Sequence, residues 1–254
     1  RFSSPIFGAS EEKPRRGLDF SAMAARLRAR VQAQPLTRHG SFQASEDLLQ
    51  LACRSKPWPA WLQAEMRSNW AGETGAVAIY RGAVSALPRL EAPAAWSCPE
   101  RAAALRGFVE EHLAAEEAHL RAMEVLCPAE GERSLLPATS FGWALGYVST
   151  AARGDHGMYV TTRAVESFVE EHYGDQIQRL ERELRAQQRS PEEAYRALLG
   201  ILRAACADEV AHKEDAAKRA HAGPTSFLAK VMDAVQFSVV YWGSRVGAAI
   251  AKRI

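Results

Sequence analysis

Two stretches decide the reading of this chain: Leu113-Ala114-Ala115-Glu116-Glu117-Ala118-His119-Leu120 and Ala207-Asp208-Glu209-Val210-Ala211-His212. Each sets a glutamate three residues before a histidine. In a helix, positions i and i+3 share a face, so the carboxylate and the imidazole converge on one point beside it. Glu116 and His119 share their face with Leu113, Leu120 and Met123, and Glu209 and His212 share theirs with Leu202, Ala205 and Cys206. Such a face turns toward a core, where a lone carboxylate is costly. Spacing alone is weak evidence, because 23 glutamates and seven histidines give about 0.6 such pairs by chance. Order and flanking residues must carry the reading.

Working outward, proline, glycine and capping residues cut the chain into long helical stretches. Pro57 and Pro59 precede a helix expected over 60–87, ended by Pro88; Pro99 opens a second, expected over 99–126 and followed by Pro128. A short, nearly uncharged helix is expected over 139–152, and Gly154 with Asp155 resets the chain for a long helix over 156–187. Ser190-Pro191-Glu192-Glu193 is a capping box that starts a helix running to about residue 222. Gly223-Pro224 separates it from a final helix over 225–252. No convincing period-two alternation marks a strand, so the fold class is all-α.

Two more glutamates then stand on apolar faces: Glu73 among Met66, Trp70, Ala76, Val77 and Tyr80, and Glu166 among Thr162, Val169 and Tyr173. The order is Glu73, Glu116-x-x-His119, Glu166, Glu209-x-x-His212, one helix each. This matches a ferritin-like di-iron four-helix bundle, in which two helices each give a glutamate and two each give a Glu-x-x-His. The spacing from Glu73 to Glu116 and from Glu166 to Glu209 is 43 residues in both cases, so the halves read as a repeated helical hairpin. Carboxylate oxygens with imidazoles suit iron or manganese, and six ligands serve two metals. The remaining histidines, His39, His112, His156, His172 and His221, lack a glutamate at i−3 and are expected at the surface or behind the ligands.

Composition bounds the rest. With 254 residues, 47% hydrophobic and 24% charged, the chain can bury a substantial core. The net charge of +2 gives no basic field, so nucleic acid is not an expected partner. Cys53, Cys98, Cys127 and Cys206 form no C-x-x-C pair, which speaks against a zinc ribbon or a rubredoxin-like iron and for a reducing compartment. Residues 1–40 carry eight basic and three acidic side chains and begin Arg-Phe-Ser-Ser, which resembles the stub left by removal of a mitochondrial presequence. The domain reading is a basic N-terminal extension over 1–57, expected to lie against a partner, and a bundle over 58–254 with an extra short helix and a C-terminal helix. The uncharged stretch 134–152 is broken by Pro137, Gly142 and Gly146 and reads as buried or interfacial rather than spanning. Met158, Phe141, Trp143 and Tyr147 with Phe227, Val231, Val239, Tyr241 and Trp242 are expected to give a large apolar surface.

The flanks of the glutamates resemble the demethoxyubiquinone hydroxylase family. Asn69-Trp70-Ala71-Gly72-Glu73-Thr74-Gly75-Ala76 with Ile79-Tyr80-Arg81-Gly82 is similar to its first motif. Leu136-Pro137 with Phe141-Gly142-Trp143-Ala144-Leu145-Gly146, Ala164-Val165-Glu166 with His172-Tyr173 and Gln176-Ile177, and Asp208-Glu209 with His212 follow in family order. The resemblance, over about residues 66–254, implies a di-iron monooxygenase with two iron ions held by Glu73, Glu116, His119, Glu166, Glu209 and His212. His172 and Tyr173 would stand beside the metals as catalytic residues. The implied substrate is a methoxy-benzoquinone with a polyprenyl tail, and the implied place is peripheral, on the matrix side of the mitochondrial inner membrane. Three positions depart from the pattern: Trp70 replaces a histidine, and Ala78 and Phe237 each replace an arginine. These losses, with the basic arm, support the alternative of a hydroxylase-derived accessory subunit of a respiratory complex.

Overall fold

The computed structural model describes residues 44–91, 99–127, 136–186, 193–223 and 226–253. All lie in one unit, Ser41–Ile254; the basic arm of residues 1–40 and the capping box at Ser190 fall outside the described residues. Six helices make up the described chain: α1 (Glu46–Cys53), α2 (Ala60–Glu91), α3 (Pro99–Leu126), α4 (Leu136–Ala186), α5 (Glu193–His221) and α6 (Phe227–Ala251). The class is all-α, as expected. Helix α4 is two helices joined at Gly154, whose φ of 63° and ψ of −146° only glycine adopts without strain. The break falls where the sequence reset was read.

Two boundaries differ from the sequence reading. Pro88 lies inside α2, which continues to Glu91. A proline close to a helix end costs one hydrogen bond in a turn that is already poorly paired, so the helix continues past it. Helix α1 lies in the stretch read as extension; Ser45 caps it by accepting from the Leu48 amide at 3.3 Å. A helix of eight residues is unstable alone and is held by packing: Leu49 and Ala52 are buried with Trp58, Leu126, Leu198 and Leu202.

The core of α2, α3, the second half of α4 and α5 is layered. At one level Leu62 and Met66 of α2, Met123 and Leu126 of α3, Tyr173 and Leu180 of α4, and Leu198 and Leu202 of α5 form an apolar cluster. At the other, Tyr80 and Leu87 of α2, Leu105 and Phe108 of α3, Met158 and Val165 of α4, and Ala216 of α5 form a second. Between these levels, along every one of the four helices, stand the charged residues: Glu73, then Glu116 and His119, then Glu166, then Glu209 and His212, all buried. Burying a leucine or phenylalanine contributes roughly 1.5–3 kcal/mol, so the two apolar layers carry the fold across the polar one.

The first half of α4 crosses α2 at backbone contact. A Cβ placed on Gly146 would stand 1.8 Å from the Ile79 carbonyl oxygen, and one on Gly82 would stand 2.0 Å from that of Trp143. Ala78 is buried beneath this crossing, where an arginine side chain has no room. Helix α6 lies on α4 and α2 and leaves most of its apolar face uncovered: Phe227 is 82% exposed, and Val231, Val235, Val239 and Trp242 are also exposed. Phe141 on α4 is 73% exposed with Trp143 open beside it, as the sequence suggested; Val148, not expected there, is exposed too, whereas Met158 is fully buried in the core. No helix among the described residues is long and apolar enough to cross a membrane.

Candidate metal centre

The i, i+3 spacing delivers the two Glu-x-x-His pairs into the same layer. His119 Nδ1 lies 2.8 Å from Glu209 Oε1, 3.6 Å from Glu116 Oε2 and 3.7 Å from Glu73 Oε2. His212 Nδ1 lies 3.2 Å from Glu209 Oε2 and 3.3 Å from Glu116 Oε1. Glu73, Glu116, His119 and Glu209 each offer a ligand atom within 4.8 Å of the others. Both imidazoles turn the same nitrogen inward, and three helices meet at that point. Glu166 joins from α4, buried and close enough to Glu209, Glu116 and Glu73 for their charges to act on its acid.

Electrostatics follow from four carboxylates buried in one layer. Burial, together with Glu209 and Glu116, holds the Glu166 acid well above the usual carboxylate range; burial does the same to Glu73, with His119 partly opposing it. Burial alone would also raise Glu209, but His119 and His212 outweigh it and hold Glu209 low. Burial would lower His212, yet Glu116 and Glu209 push it up to about 10. Without cations such a layer must hold protons, where cations would serve better. Two divalent ions would balance four carboxylates and release both imidazoles to their neutral, ligating form, so the donor set fits a two-metal centre.

Supporting groups surround the layer. The Tyr173 hydroxyl donates to Glu73 Oε1 at 2.7 Å. Asp208 Oδ2 stands 3.1 Å from His119 Nε2, on the far side of the ring from the cluster. Such a carboxylate behind a ligating histidine fixes its tautomer and orientation. His112 is buried, its ring 4.4 Å from that of His212, with the Tyr80 hydroxyl 3.3 Å from its Nδ1 and Asp215 Oδ2 3.6 Å from its Nε2. His172 points elsewhere: its ring stacks on Phe168 at 5.3 Å and its Nε2 lies 3.7 Å from Glu65 Oε2. The tyrosine of the expected His172-Tyr173 pair thus reaches the cluster and the histidine does not. His112 was legible after all, since it lies four residues before Glu116 and seven before His119 on the same helix face. Asp208 carries no such signal, because it meets His119 across two helices.

A buried layer of glutamates and histidines inside a four-helix core, with further helices laid on it, defines a ferritin-like carboxylate bundle. The family model described as Ubiquinone biosynthesis protein COQ7 matches residues 60–240, and the chain belongs to that family. Over 118 residues it is 33% identical to the 3-demethoxyubiquinol 3-hydroxylase of Rhodospirillum rubrum, a match covering 45% of this chain and 50% of that protein. The chain thus matches about half the length of that relative.

Proposed function

We propose that this chain is a di-iron monooxygenase that hydroxylates a demethoxyubiquinone in ubiquinone biosynthesis. The observation that carries the reading is the polar layer of four carboxylates and two imidazoles sealed between two apolar layers. Glu73, Glu116, His119, Glu166, Glu209 and His212 would hold the two irons, which when bound supply the activation of dioxygen. In balance, dioxygen with two protons and two electrons from a two-electron reductant turns one ring C–H into C–OH and leaves one water. The chain's own residues prepare that chemistry. Tyr173 holds Glu73 by its hydroxyl, Asp208 orients His119, and the apolar layers keep bulk water from the reacting groups.

The open apolar face of α6 and the first half of α4 suits a lipid surface on the matrix side of the mitochondrial inner membrane, from which a polyprenyl-tailed quinone would enter. The same face also supports a second reading, an accessory subunit seated on a respiratory assembly. Metal analysis and a quinone hydroxylation assay on natively purified protein separate the two. Two irons per chain with turnover are expected; metal-free, inactive protein bound to a large complex would overturn the enzyme reading in favour of the subunit.

A further inference from the structure

Arg163 stands apart from every other arginine of the described chain. Arg81, Arg101, Arg106, Arg153, Arg179, Arg185, Arg203, Arg219 and Arg245 each meet a carboxylate, and Arg67 donates to the Lys252 carbonyl. Arg54, Arg89, Arg121, Arg182, Arg196 and Arg253 are exposed, where water serves them. Among the described residues Arg163 is the one arginine that is half-buried and meets no acceptor; its guanidinium lies over the Phe237 ring, 4.8 Å from the centroid. Its helix offers it nothing: Ser167 at i+4 donates to the Arg163 carbonyl, and Glu166 at i+3 turns into the metal layer. A ring face attracts a guanidinium but accepts none of its in-plane N–H donors. Its N–H donors meet no acceptor of the chain and stay accessible, open to an oxygen from outside it.

The surroundings define what carries that oxygen. Phe237 stacks nearly parallel on Tyr241, centroids 6.0 Å apart at 9°, and Phe168 meets Tyr241 edge-on at 6.4 Å. The Tyr241 hydroxyl is taken by Glu171 at 2.6 Å; the stretch of the α4–α6 seam around Arg163 is aromatic, and the polar groups beside it, Gln236 with Thr161 and Arg245 with Glu171, are already paired with each other. Arg163 and Phe168 bracket Glu166 in the chain, and Arg163 lies about 4.5 Å of axial rise from it. A planar ring bearing an oxygen at its edge fits: its faces meet the aromatics, and the oxygen takes charge-assisted N–H bonds. The resemblance placed an arginine at position 237 on α6; here a guanidinium comes to the same ring from α4.

We infer that Arg163 is a substrate-binding residue, which anchors a carbonyl oxygen of the quinone head in the α4–α6 seam. This rests on the quinone reading above. The test is line broadening of the methoxy protons of a short-tailed methoxy-benzoquinone by zinc-loaded protein, so that no turnover intervenes, with metal content measured on the same samples. Arg163→Met should weaken binding about 10- to 100-fold with two metals retained. Arg163→Lys should recover much of the loss, and the exchange Arg163→Val with Phe237→Arg should restore binding by returning the guanidinium from the other helix. Unchanged affinity in Arg163→Met overturns the assignment and leaves the quinone reading standing. Loss of metal along with affinity also overturns it, since Arg163 would then act through the metal layer. No binding by the unsubstituted chain overturns the quinone reading itself.

Discussion

Asp208→Ala tests whether the layer is built to hold metal or only to pack. The perturbation removes the carboxylate 3.1 Å from His119 Nε2 and leaves the inward side of the ring untouched. The Asp208 side chain is 10% exposed, so little water screens the pair. A hydrogen bond to a charged group in such a setting contributes about 1.5–3 kcal/mol. Without it His119 can rotate and lose the tautomer that presents Nδ1, and metal affinity should fall about 10- to 100-fold. Competition of anaerobic iron(II), or manganese(II), against a fluorescent chelator reads this directly. Asp215→Ala is the control, because Asp215 meets His112 and Arg219 rather than a proposed ligand; its affinity should stay within about twofold of the parent. If Asp208→Ala binds metal as tightly as the parent while its circular dichroism is unchanged, the carboxylate does not serve a ligand and the orientation of His119 has another cause.

In the metal-free protein Glu73 and Glu166 have raised pKa values, and so do His119 and His212. A group whose folded pKa is raised stabilises below its unfolded value and loses that contribution as pH rises through the folded one. Above pH 6.5, where the lowered His112 and His172 add no further change, metal-free stability should therefore fall as pH rises, a trend that urea melts at successive pH values would reveal and that Glu166→Gln should flatten while lowering metal content. A melt that instead gains stability steadily from pH 6.5 to 9 would contradict the site electrostatics. Gly146→Val should cost about 2–4 kcal/mol, read as a drop in Tm, because the α2 backbone cannot withdraw; Gly72→Ala, whose added Cβ meets nothing within 4 Å, should hold or gain up to about 1 kcal/mol. Flotation with anionic liposomes should recover the chain with the lipid, and changing Phe227, Val235 and Trp242 to serine should return it to the soluble fraction; flotation unaffected by the triple change would remove α6 as the contact.

The helix class, the break at Gly154 and the four helices that bear the site were legible because each leaves a local mark: a proline, a glycine, a capping residue or an apolar stripe at helical spacing. The convergence of Glu116 with His119 and of Glu209 with His212 was legible because i, i+3 pairs are local too. What sequence could not display is contact between helices. Asp208 reaches His119 across two helices, and the placement of Arg163 over Phe237 depends on how α6 lies on α4. Helix α1 was overlooked because its eight residues gain their order from the bundle they touch. Of the neighbours His172 and Tyr173, the tyrosine turns to Glu73 and the histidine toward Glu65, since adjacent residues on a helix point about 100° apart.

The two apolar layers also govern traffic. Leu62, Met66, Leu126 and Leu180 close one end of the four-helix core, and Leu87, Leu105, Phe108 and Met158 close the other. Side chains buried in layers of this kind leave little room for passage along the bundle axis. Under the proposed function, ions, protons and an organic reactant would come in sideways, between two helices, and the choice of seam would sort them: a polar path suits ions and protons, while an aromatic one suits a ring. A protein closed at both ends can thus keep the entrances for its different cargoes on different flanks.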